Sequence, residues 1–254
     1  MADCYREKYV AFIDMLGFSA LVATTADDPS LRPNIAEAMD VMRSSTAQNE
    51  KLGLNFTQFS DCIVISSDPT EHGLFEILES IRTIAENLLQ LDILIRGGLT
   101  RGNIHHDADL MFGPAMLEAY GMERDATKHP TVMISAAVKE DCDSYQWGSY
   151  CVIRDIGEPE RWYVHYLRNF HDYDPTPVAG KVVMDKPALL IRHYIARRLA
   201  NTTGRVRDKA LWLETYWNDT AGAGVLGRVD PVGDLAVRTF LDSGYRTVRR
   251  QLVS

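Results

Sequence analysis

Two aspartates, Asp14 and Asp61, stand where they could do chemistry together. Asp14 closes KYVAFIDM, a short apolar run of the kind that forms a buried strand. Asp61 falls between LNFTQF and CIVISS, two alternating runs that read as a hairpin with Ser60-Asp61 at its tip. A lone Asp after a strand is usually a turn or helix cap. Two, each embedded in an apolar strand pattern, could emerge side by side, and adjacent carboxylates repel unless a cation shares them. Magnesium or manganese, held by one or two carboxylates and substrate phosphates, is the expected partner. A pair of such ions activates a hydroxyl and steadies a leaving oxygen at phosphorus.

Other residues could serve the same chemistry. LGFSAL follows Asp14; Gly17 supplies a turn, and the helix starting there would aim free N–H groups at an anion. Arg96 and Arg101 flank Gly97-Gly98 in ILIRGGLTRGNI. Either they face the acids and hold phosphate or leaving-group charge, or one is a surface charge and the other a partner for the acids. His105 and His106 read as a satisfied surface pair, and Glu118 and Glu123 as ordinary surface acids on a helix.

These residues need elements to position them. The strand at 8–15 is followed by helical spacing over about 30–51 and the hairpin at 54–67. An amphipathic helix spans 71–91, with Leu74, Ile77, Leu78, Ile81, Ile84 and Leu88 on one side. The Gly-Gly strand comes next, then a helix with Pro114 in its first turn, then TVMISAAV as a strand. The order is that of an α+β fold, a ferredoxin-like or palm-type βαββαβ antiparallel sheet with helices on one face. In that sheet the first and third strands are central neighbours, which would bring both acids to one edge. Beyond residue 140 the pattern changes to short aromatic strands in 145–168 and then to helices. The expected division is a catalytic domain at 1–140 and a mostly helical extension at 141–254, with PTPVAG near Pro175 as a hinge.

Composition narrows the function. The 254 residues carry 35 acidic and 27 basic side chains, a net charge of −8. A nucleic-acid polymer is a poor partner for such a chain, whereas a small anion could still be held by metals and local arginines. Four cysteines lack metal-ligand spacing. With no leader pattern and no run of roughly 18 apolar residues, the expectation is a cytoplasmic protein without a membrane partner.

YVAFIDMLGFSAL resembles the F-x-D-I-x-G-F opening of class III adenylate and guanylate cyclases, with Met15 in place of Ile. FSDCIVIS is similar to their second metal hairpin, and IRGGLTRGNI with FGPAMLEAY to the strand and helix beyond. The combination more specifically resembles the pyrimidine nucleotide cyclases of the Pycsar anti-phage system, over roughly half the chain. The resemblance implies two Mn2+ or Mg2+ ions per site, held by Asp14, Asp61 and the Met15 carbonyl. It implies nucleotide binding by Phe12, Gly17, Phe18, Ser19 and Thr57. Thr57, Leu110, Leu117 and Gly121 stand where purine cyclases carry their base-reading Lys and Asp and their catalytic Asn and Arg. The purine apparatus is therefore missing, and Arg96 or Arg101 is left as the transition-state arginine. The implied reaction is UTP to 3′,5′-cyclic UMP, with CTP to cyclic CMP as the alternative. The family resemblance also implies a homodimer with composite sites and a product that activates a separate effector in antiviral defence. A cyclase-like module without activity, serving in sensing or dimerisation, is the competing class; polymerases and diguanylate cyclases are set aside because FSDC lacks a Gly-Gly-acid signature.

Overall fold

The computed structural model describes residues 5–49, 53–126, 129–155, 158–170, 176–178, 181–183 and 186–220. The chain divides into two compact units, Met1–Arg168 and Asn169–Ser254.

In the first unit, β1 (Arg6–Leu16) leads through Gly17 into α1 (Phe18–Asp27), a 3-10 turn (Pro29–Leu31) and α2 (Arg32–Asn49). β2 (Asn55–Phe59) and β3 (Cys62–Ser67) form the expected hairpin, followed by α3 (Glu71–Gln90) and the long β4 (Leu94–His106). Then come β5 (Met111–Phe112), α4 (Pro114–Gly121), a π-helical turn (Met122–Ala126), β6 (Val132–Ile134), α5 (Ala136–Ser144), α6 (Gly148–Cys151), β7 (Val152–Arg154) and β8 (Trp162–Val164). The sheet order is β2-β3-β1-β4-β6-β8-β7, with β5 paired to β4. Its first four strands, with α2 and α3, form the ferredoxin-like βαββαβ core, antiparallel throughout.

Register fixes which side chains share a face. Asp14 lies directly opposite Cys62 on one side and Arg96 on the other. Phe12 is likewise flanked by Val64 and Gly98. This face carries a buried cluster of Val10, Phe12, Val64 and Ile104 against Ala115 and Ala119 of α4. A Cβ at Gly98 would lie 2.5 Å from the Ala119 carbonyl oxygen, so only glycine lets α4 approach this closely. The opposite face meets α3, where Ser67 donates to the Gly73 carbonyl at 2.8 Å, and α2, where Gln58 contacts the Met39 sulfur.

Local chemistry explains the element ends. The Thr70 hydroxyl accepts from the Gly73 N–H at 3.0 Å and starts α3, with Glu71 in its first turn. The predicted inner residues of that helix, Leu74 through Leu88, are buried. Several boundaries differ from the sequence reading. TVMISAAV stays strand only to Ile134, because the Ser135 hydroxyl caps Val138 N–H and turns Ala136 onward into α5. SYCVIRDI begins inside the helical turn Gly148–Cys151, and among its described residues only Val152–Arg154 are strand. Through β7 and β8 the 145–168 stretch joins the main sheet, so the first unit runs past the boundary drawn at 140.

In the second unit, β9 (Thr176–Val178) and β10 (Lys181–Val183) pair antiparallel, and α7 (Lys186–Asn201) and α8 (Gly204–Thr220) bury Leu190, Ile191, Ile195, Leu213 and Trp217. Phe170 packs on Trp217 with ring centroids 5.4 Å apart. The rest of the PTPVAG hinge and the last helical segment, from residue 234, lie outside the described residues.

Candidate active site

The hairpin delivers Asp61 to Asp14. Phe59 and Cys62 are the last paired residues, leaving Ser60 and Asp61 as a two-residue turn. Ser60 takes a left-handed φ of 54°, as tight hairpins demand at some cost for a residue with a Cβ. The Asp61 carbonyl then accepts from the Met15 N–H at 3.1 Å, latching the hairpin tip to the end of β1. Asp14, Asp61 and Cys62 consequently place one ligand atom each within 4.8 Å of one another.

Arg96 completes the cluster. Its Nε donates to Asp14 Oδ2 at 3.2 Å and also pairs with Glu123, a carboxylate only 3% exposed on the π-helical turn. Cys62 donates its S–H to Asp14 Oδ1 at 3.5 Å. Burial raises the Asp14 carboxyl above the usual carboxylate range; Arg96 opposes the rise and Asp61 adds to it. The Cys62 thiol is pushed up to about 12, first by burial and then by the Asp14 and Asp61 charges, and stays protonated.

This donor set suits a hard divalent cation. Two carboxylates and neighbouring backbone carbonyls are oxygen ligands, and a protonated thiol offers no soft anionic donor. Asp14 and Asp61 converge here, and the Arg96 guanidinium is shared between Asp14 and Glu123. A cation would relieve the crowding of carboxyl groups.

The remaining expected site residues fall variously. Gly17 has φ 82° and starts α1 without a side-chain cap or a first-turn acid, which leaves the amides of Phe18 and Ser19 beside the acids' strand end. The Met15 side chain is buried, and its backbone lies at the latch. The Phe12 ring belongs to the core, packed edge-on to Tyr120 at 5.2 Å and tilted against Phe59 at 6.2 Å. Thr57, opposite Val64, shares the site face.

Arg101 is not brought to the acids. It pairs in register with Tyr9, an odd number of residues from Arg96, and therefore points to the opposite face. There it donates to Asp141 of α5 at 2.7 Å, and the Tyr9 hydroxyl shares that carboxylate at 3.0 Å.

Three participants escaped the sequence reading. Glu123 is a buried partner of Arg96, not a surface acid, because the chain leaves α4 in a π-helical turn that no residue pattern announces. Cys62 touches Asp14. His106, expected in a polar loop, is a buried residue of β4, since that strand continues to pair with β5. Strand alternation from Arg96 would have placed His106 on the site face.

No protein-family model matches the chain, and no curated protein does. Solved structures do. The adenylyl cyclase CyaB from P. aeruginosa is similar over 63% of this chain and 93% of its own, at 15% identity and a TM-score of 0.49. The dimeric guanylyl cyclase domain of the RhoGC fusion protein from Blastocladiella emersonii is similar over 63% and 97%, at 16% identity and a TM-score of 0.46. For the guanylate cyclase domain of RhGC from Catenaria anguillulae in complex with GTP, the coverage is 62% and 95%, at 14% identity and a TM-score of 0.46. At these values the likeness adds nothing to the chemistry, which rests on the residues themselves.

Proposed function

We propose that the chain is a nucleotidyl cyclase of the class III type, closing UTP into 3′,5′-cyclic UMP and pyrophosphate, with CTP as the alternative substrate. The observation that carries this reading is the convergence of Asp14 and Asp61, 4.8 Å or less between ligand atoms, on the motifs that resemble the cyclase metal sites. Asp14, Asp61 and the Met15 carbonyl would hold Mn2+ or Mg2+, two per site. Bound there, the cations supply charge neutralisation at the triphosphate and acidify the ribose 3′-hydroxyl.

The chain's own residues supply position. The 3′-oxygen forms its bond to the α-phosphorus as the bond from that phosphorus to the bridging oxygen breaks, pyrophosphate leaves with that oxygen, and the hydroxyl proton passes to solvent water. Gly17, with the first amides of α1 at Phe18 and Ser19, lies towards the phosphates. Arg96 fixes the Asp14 carboxylate and is the arginine we retain for the charge on the leaving pyrophosphate; Arg101 is withdrawn from that role by its place on the other face. Thr57 faces the base. We place the chemistry in the first unit and, on the family resemblance, in a cytoplasmic homodimer with composite sites, whose cyclic product acts on a separate effector in antiviral defence.

The Arg96–Asp14 ion pair also fits a second reading, in which an arginine has taken over the cation's place and the fold serves only in sensing or dimerisation. Incubating the full chain with ATP, GTP, CTP and UTP separately, with Mn2+ or Mg2+, and weighing the products separates the two. A cyclic pyrimidine monophosphate, absent with Asp61→Asn, is the expected outcome. No product from any of the four, in a folded dimer, refutes the cyclase reading.

A further inference from the structure

Deep on the site face lies a polar chain that the metal cluster does not use. His106, 7% exposed, sits with Nε2 3.0 Å from the Thr57 hydroxyl and Nδ1 2.8 Å from the Ser66 hydroxyl. The end of β4 comes back over this face to reach them. Ile104 pairs in register with Arg6, yet it belongs to the buried cluster that holds Val10, Phe12 and Val64. Thr57 is two strands across from Asp14 and two residues along, which puts it about 12 Å away by strand geometry. That spacing suits a nucleotide lying with its phosphates at the acids and its base at Thr57.

We propose that His106, clamped by Ser66, is a positioning residue that lets the Thr57 hydroxyl present either a donor or an acceptor to the base edge, so that the site takes both pyrimidines. This inference rests on the cyclase reading and widens its substrate from one pyrimidine to two.

The number of hydrogens along the chain decides what Thr57 can present. A neutral imidazole has one N–H and one lone pair, and a hydroxyl can serve as donor or acceptor. With the proton on Nε2, His106 donates to Thr57, whose own O–H is then free to meet an acceptor such as the 4-oxygen of uracil. With the proton on Nδ1, His106 accepts from Thr57, whose lone pairs then face outward to meet a donor such as the 4-amino group of cytosine. Ser66 accommodates both arrangements, accepting from Nδ1–H in one and donating to bare Nδ1 in the other. Both tautomers therefore keep every group satisfied, and the chain can follow the base. A charged imidazole would donate at both nitrogens and fix a single polarity; burial of this ring opposes that charge.

Ser66 provides the test, because removing its hydroxyl ends the symmetry. In Ser66→Ala, a proton on Nδ1 would be a buried donor without a partner, which proteins tolerate less well than a bare acceptor. The proton then stays on Nε2, Thr57 presents its O–H, and UTP gains over CTP. The experiment measures kcat/KM for UTP and CTP, and the dissociation constants of their non-hydrolysable α,β-methylene analogues, for wild type and Ser66→Ala. Melting curves check the fold of both. Expected are wild-type values for the two bases within about tenfold of each other, and a shift of the ratio towards UTP of about fivefold or more in the variant, in line with the cost of an unmet buried donor. Wild-type discrimination beyond about a hundredfold, or a ratio that Ser66→Ala leaves unmoved, overturns the proposal. Cyclic product with the wrong ratio sinks this inference alone. Analogue binding with the expected ratio but no product sinks only the cyclase reading, and neither product nor binding sinks both.

Discussion

His106 should make the fold sensitive to acid in a way that one substitution removes. The imidazole is pushed down to about 4 from an ordinary 6.5, first by burial and then by the Lys8 charge; Asp107 opposes the shift and His105 adds to it. The folded chain therefore takes up this proton less readily than the unfolded chain. Its contribution is complete above pH 6.5 and drains away as pH falls from about 6.5 towards about 4. A difference of 6.5 − 4 units at 1.36 kcal/mol each amounts to about 3.4 kcal/mol in full, of which about 2.5 kcal/mol is gone by pH 4.5. Urea unfolding of the full chain and of His106→Gln, between about pH 7.5 and pH 4.5, isolates this group, because the carboxylates common to both chains cancel in the difference. Wild type should lose about 2 to 3 kcal/mol more than the variant over that range. Parallel losses, equal within about 0.5 kcal/mol, would show that the ring is already charged or readily solvated, and the reasoning about its burial would fail.

Two further predictions concern the sheet. Arg96→Leu should lower turnover by about a hundredfold or more, as loss of a preorganised charge does, whereas Arg101→Ala should leave turnover within a few-fold because the contacts it loses, to Asp141 and Glu7, lie on the far face; steady-state rates on the two variants decide this. Gly98→Ala places a methyl 2.5 Å from the Ala119 carbonyl oxygen and 2.7 Å from the Met122 Cβ, and should cost about 1 to 3 kcal/mol by thermal unfolding as α4 is forced off the sheet.

The route from sequence to structure was clear where periodicity and capping agreed. The apolar run ending in Asp14, the two-residue tip at Ser60-Asp61 and the stripe Leu74 to Leu88 each carry their geometry in local residue order. Together they suffice for the βαββαβ core and for the meeting of the two acids. What stayed hidden depends on contacts between distant segments. Whether Arg96 or Arg101 faces the acids turns on the β1–β4 register, which no residue type announces, although the odd spacing already required them to oppose each other in a regular strand. Glu123 is buried by an irregular turn after α4, and its place beside Arg96 exists only once α4 has docked. His106 was hidden by its company: His105, Asp107 and Asp109 around it are polar, yet the pairing of β4 with β5 keeps His106 in the strand, where it is buried.

The latch from the Met15 N–H to the Asp61 carbonyl has a consequence for how the chain folds. Asp14 and Cys62 are 48 positions apart in sequence, so the two acids meet only after β3 has found β1 across an intervening pair of helices. A slip of one residue in that pairing would turn Cys62 and its neighbours to the other face and carry Asp61 away from Asp14. A cation that needs both carboxylates binds the correct alignment and ignores the slipped one, and its binding free energy is added to the former alone. The ion would thus act as a proofreader of strand alignment before any nucleotide arrives.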